Sequence, residues 1–177
     1  HFNYKNDNAD ANFELGPINL EIDKGEVIFI VGGNGSGKST FINILSGLYV
    51  PDQGDVLLDG ERINSEKDIQ NLISAVFTSN HLFSQNYDDY ILENNPKYKM
   101  LLETFKLENI VKDDSEESAR RSFSKGQSKR MALIFALLED KPIVLLDEWA
   151  ADQDPYFRTY FYEELIPTLK AEAKTII

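Results

Sequence analysis

Residues 32–40 read GGNGSGKST, and the interpretation of the whole chain starts from this stretch. It fits the pattern G-x-x-x-x-G-K-[ST], whose last two residues are Lys38 and Ser39. Residues 27–31 (VIFIV) form an apolar run of strand length before it, and residues 41–48 (FINILSGL) carry apolar side chains at helical spacing after it. A glycine-rich loop between a strand and a helix predicts a phosphate-binding site. The alternative is a glycine-rich turn that only caps the helix.

The residue types in this loop indicate how it would bind phosphate. Its glycines let backbone N–H groups converge on phosphate oxygens, and the helix N-terminus adds the positive end of its dipole. We expect Lys38 to reach the β- and γ-phosphates of a nucleotide and Ser39 to hold Mg²⁺. The predicted nucleotide-binding residues of the loop are Gly33, Asn34, Gly35, Ser36, Gly37, Lys38, Ser39 and Thr40.

Composition limits the remaining classes of function. The chain has 177 residues, of which 42% are hydrophobic, and this is typical of a globular domain. It has no cysteine and only two histidines, which excludes disulfides and cysteine-based metal sites and disfavours a histidine cluster. Its formal net charge of −12 argues against general nucleic-acid binding, so we expect no nucleic-acid partner. No apolar run approaches the roughly 20 residues that cross a bilayer.

A second motif lies at residues 143–148, IVLLDE. A buried strand that ends in two carboxylates places them at the sheet edge where ligands bind in open α/β folds. We expect Asp147 to act on Mg²⁺ through water and Glu148 to polarise the attacking water as a general base. Glu148 and Lys38 are therefore the expected catalytic residues. The alternative is an acidic strand end that is simply solvated.

The segment between these motifs, FSKGQ at residues 123–127, allows two interpretations. Serine followed three residues later by glutamine is a capping box at a helix N-terminus. The segment also lies where ABC ATPases carry the LSGGQ signature, and between the other two motifs it resembles that signature. The resemblance implies contact with ATP bound by a partner copy through Ser124, Lys125, Gly126 and Gln127. Lys125 departs from the family pattern, which has glycine there.

The resemblance to ABC ATPases covers nearly the whole chain and implies its fold. We expect an α/β P-loop NTPase of ABC type, with a largely parallel core sheet, an antiparallel β subdomain and a small helical subdomain. Residues 1–77 and 123–177 form the predicted ATP-binding core, and residues from about 78 to 122 form the Q-loop and helical subdomain. We expect one domain, 1–177, truncated at both ends, because His1 is not an initiator Met and residues 175–177 resemble an interrupted strand.

Local patterns predict several elements. Residues 13–31 read as two strands joined by a turn at residues 24–25, and residues 56–63 as a hairpin around Asp59-Gly60. Ser124 is expected to begin a helix that continues to about Leu138. A last helix is expected from Asp154-Pro155 to about residue 169, with Pro167 bending or ending it.

Three further residues take roles from the family. Tyr4 matches the aromatic that stacks on adenine, although it also fits an ordinary exposed aromatic. Asp154 matches the last residue of the D-loop, a role compatible with capping the following helix. Thr78 falls where the Q-loop glutamine helps to hold Mg²⁺; its hydroxyl has a shorter reach, and Ser79 and Asn80 are nearby substitutes. A plain polar turn is the alternative for this loop.

The resemblance also implies a function. We expect the ATP-binding and ATP-hydrolysing domain of an exporter, with ATP and Mg²⁺ as cofactors. Its expected partners are a second ABC ATPase domain, in a head-to-tail homodimer, and a transmembrane domain fused N-terminally. The expected location is the cytoplasmic face of the inner membrane. The family's switch histidine would follow Ile177, so the 177 residues alone should bind nucleotide and hydrolyse it poorly.

The tail from residue 147 onward and the stretch AVFTSNHLF at 75–83 resemble cyclic-peptide exporters of the siderophore and microcin type. Most ABC ATPases have proline and threonine where this chain has Trp149 and Ala150. Two other classes stay open. One is a soluble ABC ATPase without transport, which would usually carry a longer or more basic insert. The other is a nucleotide-binding regulator with little turnover.

Overall fold

The computed structural model describes residues 1–4, 13–63, 66–78, 92, 94–111 and 123–177. Ser79 and Asn80, the predicted substitutes beside Thr78, lie outside the described residues, as does much of the predicted helical subdomain. The side chain of Tyr4 is also outside the described part, so its adenine contact stays a prediction.

Three sheets contain all the strands of the described residues. Two are antiparallel pairs, β1 (Phe2–Tyr4) with β2 (Phe13–Leu15) and β3 (Leu57–Leu58) with β4 (Glu61–Arg62). The third has the order β5-β6-β7 and consists of β5 (Ile73–Val76), β6 (Ile143–Leu146) and β7 (Thr175–Ile176). β6 and β7 run parallel. Ile143 N donates to Leu72 O and Asp147 N to Val76 O, so the register along β5 and β6 is parallel too.

The helices of the described residues are α1 (Lys38–Leu45), α2 (Glu66–Gln70), α3 (Pro96–Thr104), α4 (Lys125–Leu138), a 3₁₀ turn (Trp149–Asp152), α5 (Pro155–Tyr160) and α6 (Ile166–Ala171). Asn95 caps α3 and Asp154 caps α5, and each cap is followed by proline at the first helical position. None of the described helices is long and apolar enough to span a membrane.

Two predicted turns are confirmed. Asp59 and Gly60 both have positive φ, at 51° and 82°, as a two-residue hairpin turn between twisted strands requires. A turn occupies residues 24–25, and Glu26 N donates to Asp23 O at 3.2 Å.

The strand before the phosphate loop is much shorter than predicted. Within residues 26–31 the only bridge is Val27 to Ile176, although Ile28 N also donates to Ile176 O. The rest of the apolar run is not assigned to a strand. Phe29 is 60% exposed and Val31 is 88% exposed.

The last helical stretch is continuous, but its hydrogen-bonding pattern changes from α to π and back to α. A π-helical turn (Phe161–Leu165) separates α5 from α6, and Pro167 lies one residue beyond the start of α6. Proline lacks the N–H that an α-helix needs, and the wider turn just before it accommodates the missing hydrogen bond. The helix does not end at Pro167, because α6 continues to Ala171, and a bend at Pro167 stays a prediction.

The chain divides into two compact units. Unit 1 comprises His1–Ile73, Lys141–Leu145 and Leu169–Ile177, and its buried side chains include Ile42, Val144, Leu145 and Ile176. Unit 2 comprises Ser74–Asp140 and Leu146–Thr168. Its core is formed by Val76, Phe105, Leu107, Met131, Leu133, Ile134 and Trp149, each at most 1% exposed.

Candidate nucleotide-binding site

In unit 1, the loop at residues 32–37 ends directly at the N-terminus of α1. Gly37 is the N-cap residue, with φ 91°, and its carbonyl accepts from Phe41 N at 2.9 Å. A Cβ at Gly37 would lie 2.6 Å from Phe13 Cζ and 2.9 Å from Leu15 Cδ1. Only glycine therefore fits both the backbone conformation and the close approach of β2.

Lys38 folds back over this loop. Its Nζ donates to Gly32 O at 3.0 Å and to Gly33 O at 3.1 Å. Gly33 and Gly35 are exposed, and a Cβ at either position would meet nothing within 4 Å. The loop thus combines an ammonium group, an open backbone and a helix N-terminus, which is the donor set that binds phosphate oxygens. Ser39, in the first turn of α1, is exposed.

In unit 2, the end of β6 carries the predicted metal ligand. Asp147 is 6% exposed, and its backbone N donates to Val76 O at 2.8 Å. Thr78 Oγ1 donates to Asp147 Oδ2 at 2.8 Å and lies 3.2 Å from Asp147 O. The structure therefore brings the Q-loop position onto the carboxylate predicted to act on Mg²⁺, a contact that sequence reasoning did not predict.

These oxygen donors fit Mg²⁺. The ion is usually held by one or two carboxylate or hydroxyl oxygens together with water and substrate phosphates. Among the described residues, no three His, Asp or Glu side chains cluster as an all-protein cage would require. Within unit 2, Asp147 and Thr78 would supply hard oxygens, whereas the role of Ser39 in unit 1 stays a prediction.

Glu148 has an uncommon backbone conformation for a residue with a side chain. Its φ of 51° and ψ of 33° are left-handed, and its side chain is exposed. The Glu148 carbonyl accepts from Lys129 Nζ at 2.7 Å. An exposed carboxylate on a fixed backbone can accept a proton from water, as a general base must.

The signature segment begins α4 with a complete capping box. Gln127 N donates to Ser124 Oγ at 3.2 Å, and Ser124 N donates to Gln127 Oε1 at 2.9 Å. Ser124 and Lys125 are nonetheless exposed. Capping and contact with a partner's nucleotide are therefore compatible in this segment.

The D-loop residues lie against the signature segment within unit 2. A Cβ at Gly126 would lie 2.7 Å from Asp152 O, and Gln153 Nε2 donates to Gly126 O at 3.2 Å. Asp154 Oδ1 accepts from Phe157 N at 3.1 Å, which confirms the predicted helix cap. Gly126 is thus required by the close approach of the two segments.

Sequence reasoning missed the residues that hold these segments together: Lys129, Asp152 and Gln153. The sequence did contain an indication of this role. Lys129, Leu133 and Ala136 have the spacing of one helix face, and a charged side chain on an apolar face needs a hydrogen-bonding or charged partner. Lys129 Nζ lies 2.7 Å from Asp152 Oδ2. The hydrogen bond and positive charge of Lys129 lower the pKa of Asp152, with a smaller contribution from Lys125.

Comparison with known proteins identifies the family. The family model "ABC transporter" matches residues 15–151. The ATP-binding protein SyrD of Pseudomonas syringae pv. syringae is 47% identical over 100% of this chain and 32% of its own length. The thiamine import ATP-binding protein ThiQ of Haemophilus influenzae is 35% identical over 74% of this chain and 64% of its own. The chain thus spans about a third of SyrD and less than two thirds of ThiQ.

A solved structure shows the same fold. It is cbiO1 from Clostridium perfringens, described as part of the ABC transporter complex cbiONQ. It is 30% identical, covers 99% of this chain and 74% of its own chain, and superposes with a TM-score of 0.72. The predicted fold class, an α/β P-loop NTPase of ABC type, is confirmed. The chain belongs to the ABC transporter family and corresponds to its ATP-binding domain.

Proposed function

We propose that this chain binds and hydrolyses ATP and that the hydrolysis drives an ABC transporter. The observation that carries the proposal is the loop at residues 32–40. There Lys38 lies over the loop carbonyls, the backbone is open, and α1 begins directly behind it. A positive loop of this kind selects a polyphosphate even in a chain whose net charge is −12.

The chemistry assigned to each residue follows from its donor and acceptor groups. Lys38 and the loop amides bind the β- and γ-phosphates, and Ser39 and, through water, Asp147 would hold Mg²⁺. Glu148 accepts the proton of the water that attacks the γ-phosphorus in line, while the bond to the β–γ bridging oxygen breaks and ADP leaves. Lys38 stabilises the negative charge that spreads over the transferred group.

We further propose that two copies bind two ATP molecules head to tail. Each nucleotide then lies between the Lys38 loop of one copy and residues 124–127 of the other. The exposure of Ser124 and Lys125 at the N-terminus of α4 supports this assignment.

Closure of the dimer takes place at the cytoplasmic face of the inner membrane and acts on a transmembrane domain, which is fused N-terminally in the intact protein. The name of ThiQ states import, whereas we propose export of a cyclic peptide or similar small molecule, on the resemblance of residues 75–83 and the tail.

Two substitutions in the intact protein test this assignment. Lys38→Ala should abolish ATP binding, because the loop loses its only side-chain cation for the phosphates. Glu148→Gln should bind ATP as the parent does and lose ATP turnover, because an amide accepts no proton from water. Glu163→Gln, a matched exposed position on the π-helical turn, should change neither property.

Each outcome separates one class of function from another. Turnover by Glu148→Gln at the parent rate would contradict the assignment of the general base. A parent that binds ATP and does not hydrolyse it would support a nucleotide-binding regulator. ATP-stimulated uptake of labelled peptide into inside-out vesicles would support export, and peptide-independent turnover in a membrane-free protein would support the soluble class.

A further inference from the structure

A buried lysine lies beside the proposed catalytic segment and is not used by the mechanism above. Lys129 is 3% exposed, on a helix whose other buried side chains are apolar except for Arg130. A buried ammonium is costly to keep unless it is paired and hydrogen-bonded. Its burial therefore indicates a specific role for the groups that it contacts.

Within the described part of the chain, the Lys129 side chain contacts the segment that follows β6. Its Nζ lies 2.7 Å from Asp152 Oδ2 and donates to Glu148 O at 2.7 Å. The Asp152 side chain is 37% exposed, so the pair has one end in the interior and one at the surface. The Lys129 ammonium group therefore links the backbone carbonyl of Glu148, the proposed base, to the side-chain carboxylate of Asp152.

Lys129 contacts a backbone segment that has an uncommon conformation. Glu148 is in the left-handed region, which a residue with a side chain occupies only when its surroundings enforce it. The next residue, Trp149, is 1% exposed, and its Nε1 donates to Lys129 O at 2.9 Å. The side chain and the backbone of Lys129 therefore hold Glu148 and Trp149 together.

We propose that Lys129 and Asp152 are positioning residues for hydrolysis, which hold the Glu148 backbone so that its carboxylate is aimed at the attacking water. The inference rests on the proposed function, in which Glu148 is the general base. A displacement of about 1 Å at a reacting group can cost about a hundredfold in rate, so a looser backbone should slow the chemistry. ATP binding, which we assign to the Lys38 loop, should not change.

The test compares two lysines in the intact protein. Lys129→Met keeps an apolar stem of similar length and removes both contacts. The matched control is Lys141→Met, because Lys141 Nζ also donates to two backbone carbonyls, Gln70 O at 3.1 Å and Ile73 O at 3.2 Å, within unit 1. Amide hydrogen exchange of residues 147–153, ATP affinity and ATP turnover are measured for each variant.

Lys129→Met should speed hydrogen exchange in residues 147–153 and lower turnover about tenfold or more, with unchanged ATP affinity. Lys141→Met should leave all three at parent values. Asp152→Ala, at a partly exposed side chain, should show the same pattern. The double variant should be no slower than the slower single variant, since both substitutions remove one contact network.

The inference would be overturned if Lys129→Met had the same ATP turnover and the same amide hydrogen exchange in residues 147–153 as the parent. Equal losses of ATP binding and turnover would also overturn it, because they indicate a general structural role. If Lys129→Met fails to fold, Asp152→Ala makes the same comparison. If the parent itself does not hydrolyse ATP, the proposed function fails, and the exchange of residues 147–153 alone decides whether Lys129 holds this segment.

Discussion

The hydrogen bond from Thr78 to Asp147 gives the Q-loop position of this chain a specific role. A threonine hydroxyl has a shorter reach than a glutamine amide, yet Thr78 Oγ1 lies 2.8 Å from the Asp147 carboxylate. Groups that hydrogen-bond a metal-ligating carboxylate orient it and tune its affinity for the metal. Thr78 is therefore placed to orient the carboxylate that we propose to act on Mg²⁺.

Replacement of Thr78 by valine tests this role at the scale of one residue. Valine keeps the shape and removes the donor, so Asp147 is less well oriented. We expect Thr78→Val to raise the Mg²⁺ concentration for half-maximal ATP binding about tenfold, and Thr78→Ser to stay near the parent. The measurement is ATP binding across a Mg²⁺ titration.

Thr168→Val serves as the control. The hydroxyl of Thr168 donates to Glu164 O at 2.8 Å on an exposed helix, so this substitution removes a hydrogen bond of similar length from the surface. It should leave the Mg²⁺ requirement unchanged. Equal Mg²⁺ requirements for Thr78→Val and the parent would show that Asp147 needs no help from this hydroxyl.

For single residues, the sequence indicated which side chains take part in the candidate site better than it indicated which of them contact each other. The phosphate loop could be predicted because its spacing is local, and Lys38 indeed returns to the loop. The pairing of Thr78 with Asp147 spans 69 residues, and that of Lys129 with Glu148 spans 19. Such contacts depend on which strand and helix become neighbours, and no local pattern specifies that.

At the scale of elements, the N-terminus of α4 combines two properties that the sequence left as alternatives. Its capping box satisfies backbone donors that a helix start leaves unpaired. Its exposed Ser124 is also available to a second copy. A substitution that separates capping from nucleotide contact can therefore decide whether the segment acts as a signature.

Two substitutions of Ser124 make that separation. Ser124→Ala removes the cap and should lower the free energy of unfolding by about 1 kcal/mol. Ser124→Asp restores a good cap, so its stability should return to the parent value in thermal unfolding. Its carboxylate would nevertheless repel the γ-phosphate of a partner's ATP, and we expect ATP turnover to be lost. Parent turnover in Ser124→Asp would leave the segment with its capping role alone.

The elements that the sequence predicted well are those with local causes. The hairpin at Asp59-Gly60 and helix α4 follow from turn chemistry and capping. The strand expected over residues 26–31 is reduced to one bridge at Val27, because an apolar run indicates a preference for burial and not which residues pair. The π-helical turn before Pro167 compensates for a missing N–H, and sequence alone indicated only that some perturbation was needed.

At the scale of the whole molecule, a single copy of this chain presents each half of the proposed site once. In the proposed dimer, the Lys38 loop binds the nucleotide of its own copy, and the segment at residues 124–127 contacts that of the partner. A closed twofold dimer then contains two equivalent sites, each built from different parts of the two copies. This arrangement makes a quantitative prediction for mixtures of two inactive variants.

Lys38→Ala and Ser124→Asp should each be inactive alone, because every homodimer has both sites damaged. In a mixed dimer, the loop of the Ser124→Asp copy meets the segment of the Lys38→Ala copy, and one site is intact. With random assembly, half of the dimers are mixed and one of their two sites works, so we expect up to about a quarter of parent turnover. The measurement is ATP hydrolysis by the intact proteins after co-expression. A mixture as inactive as its components would contradict the head-to-tail arrangement, since sites built within one copy cannot complement each other.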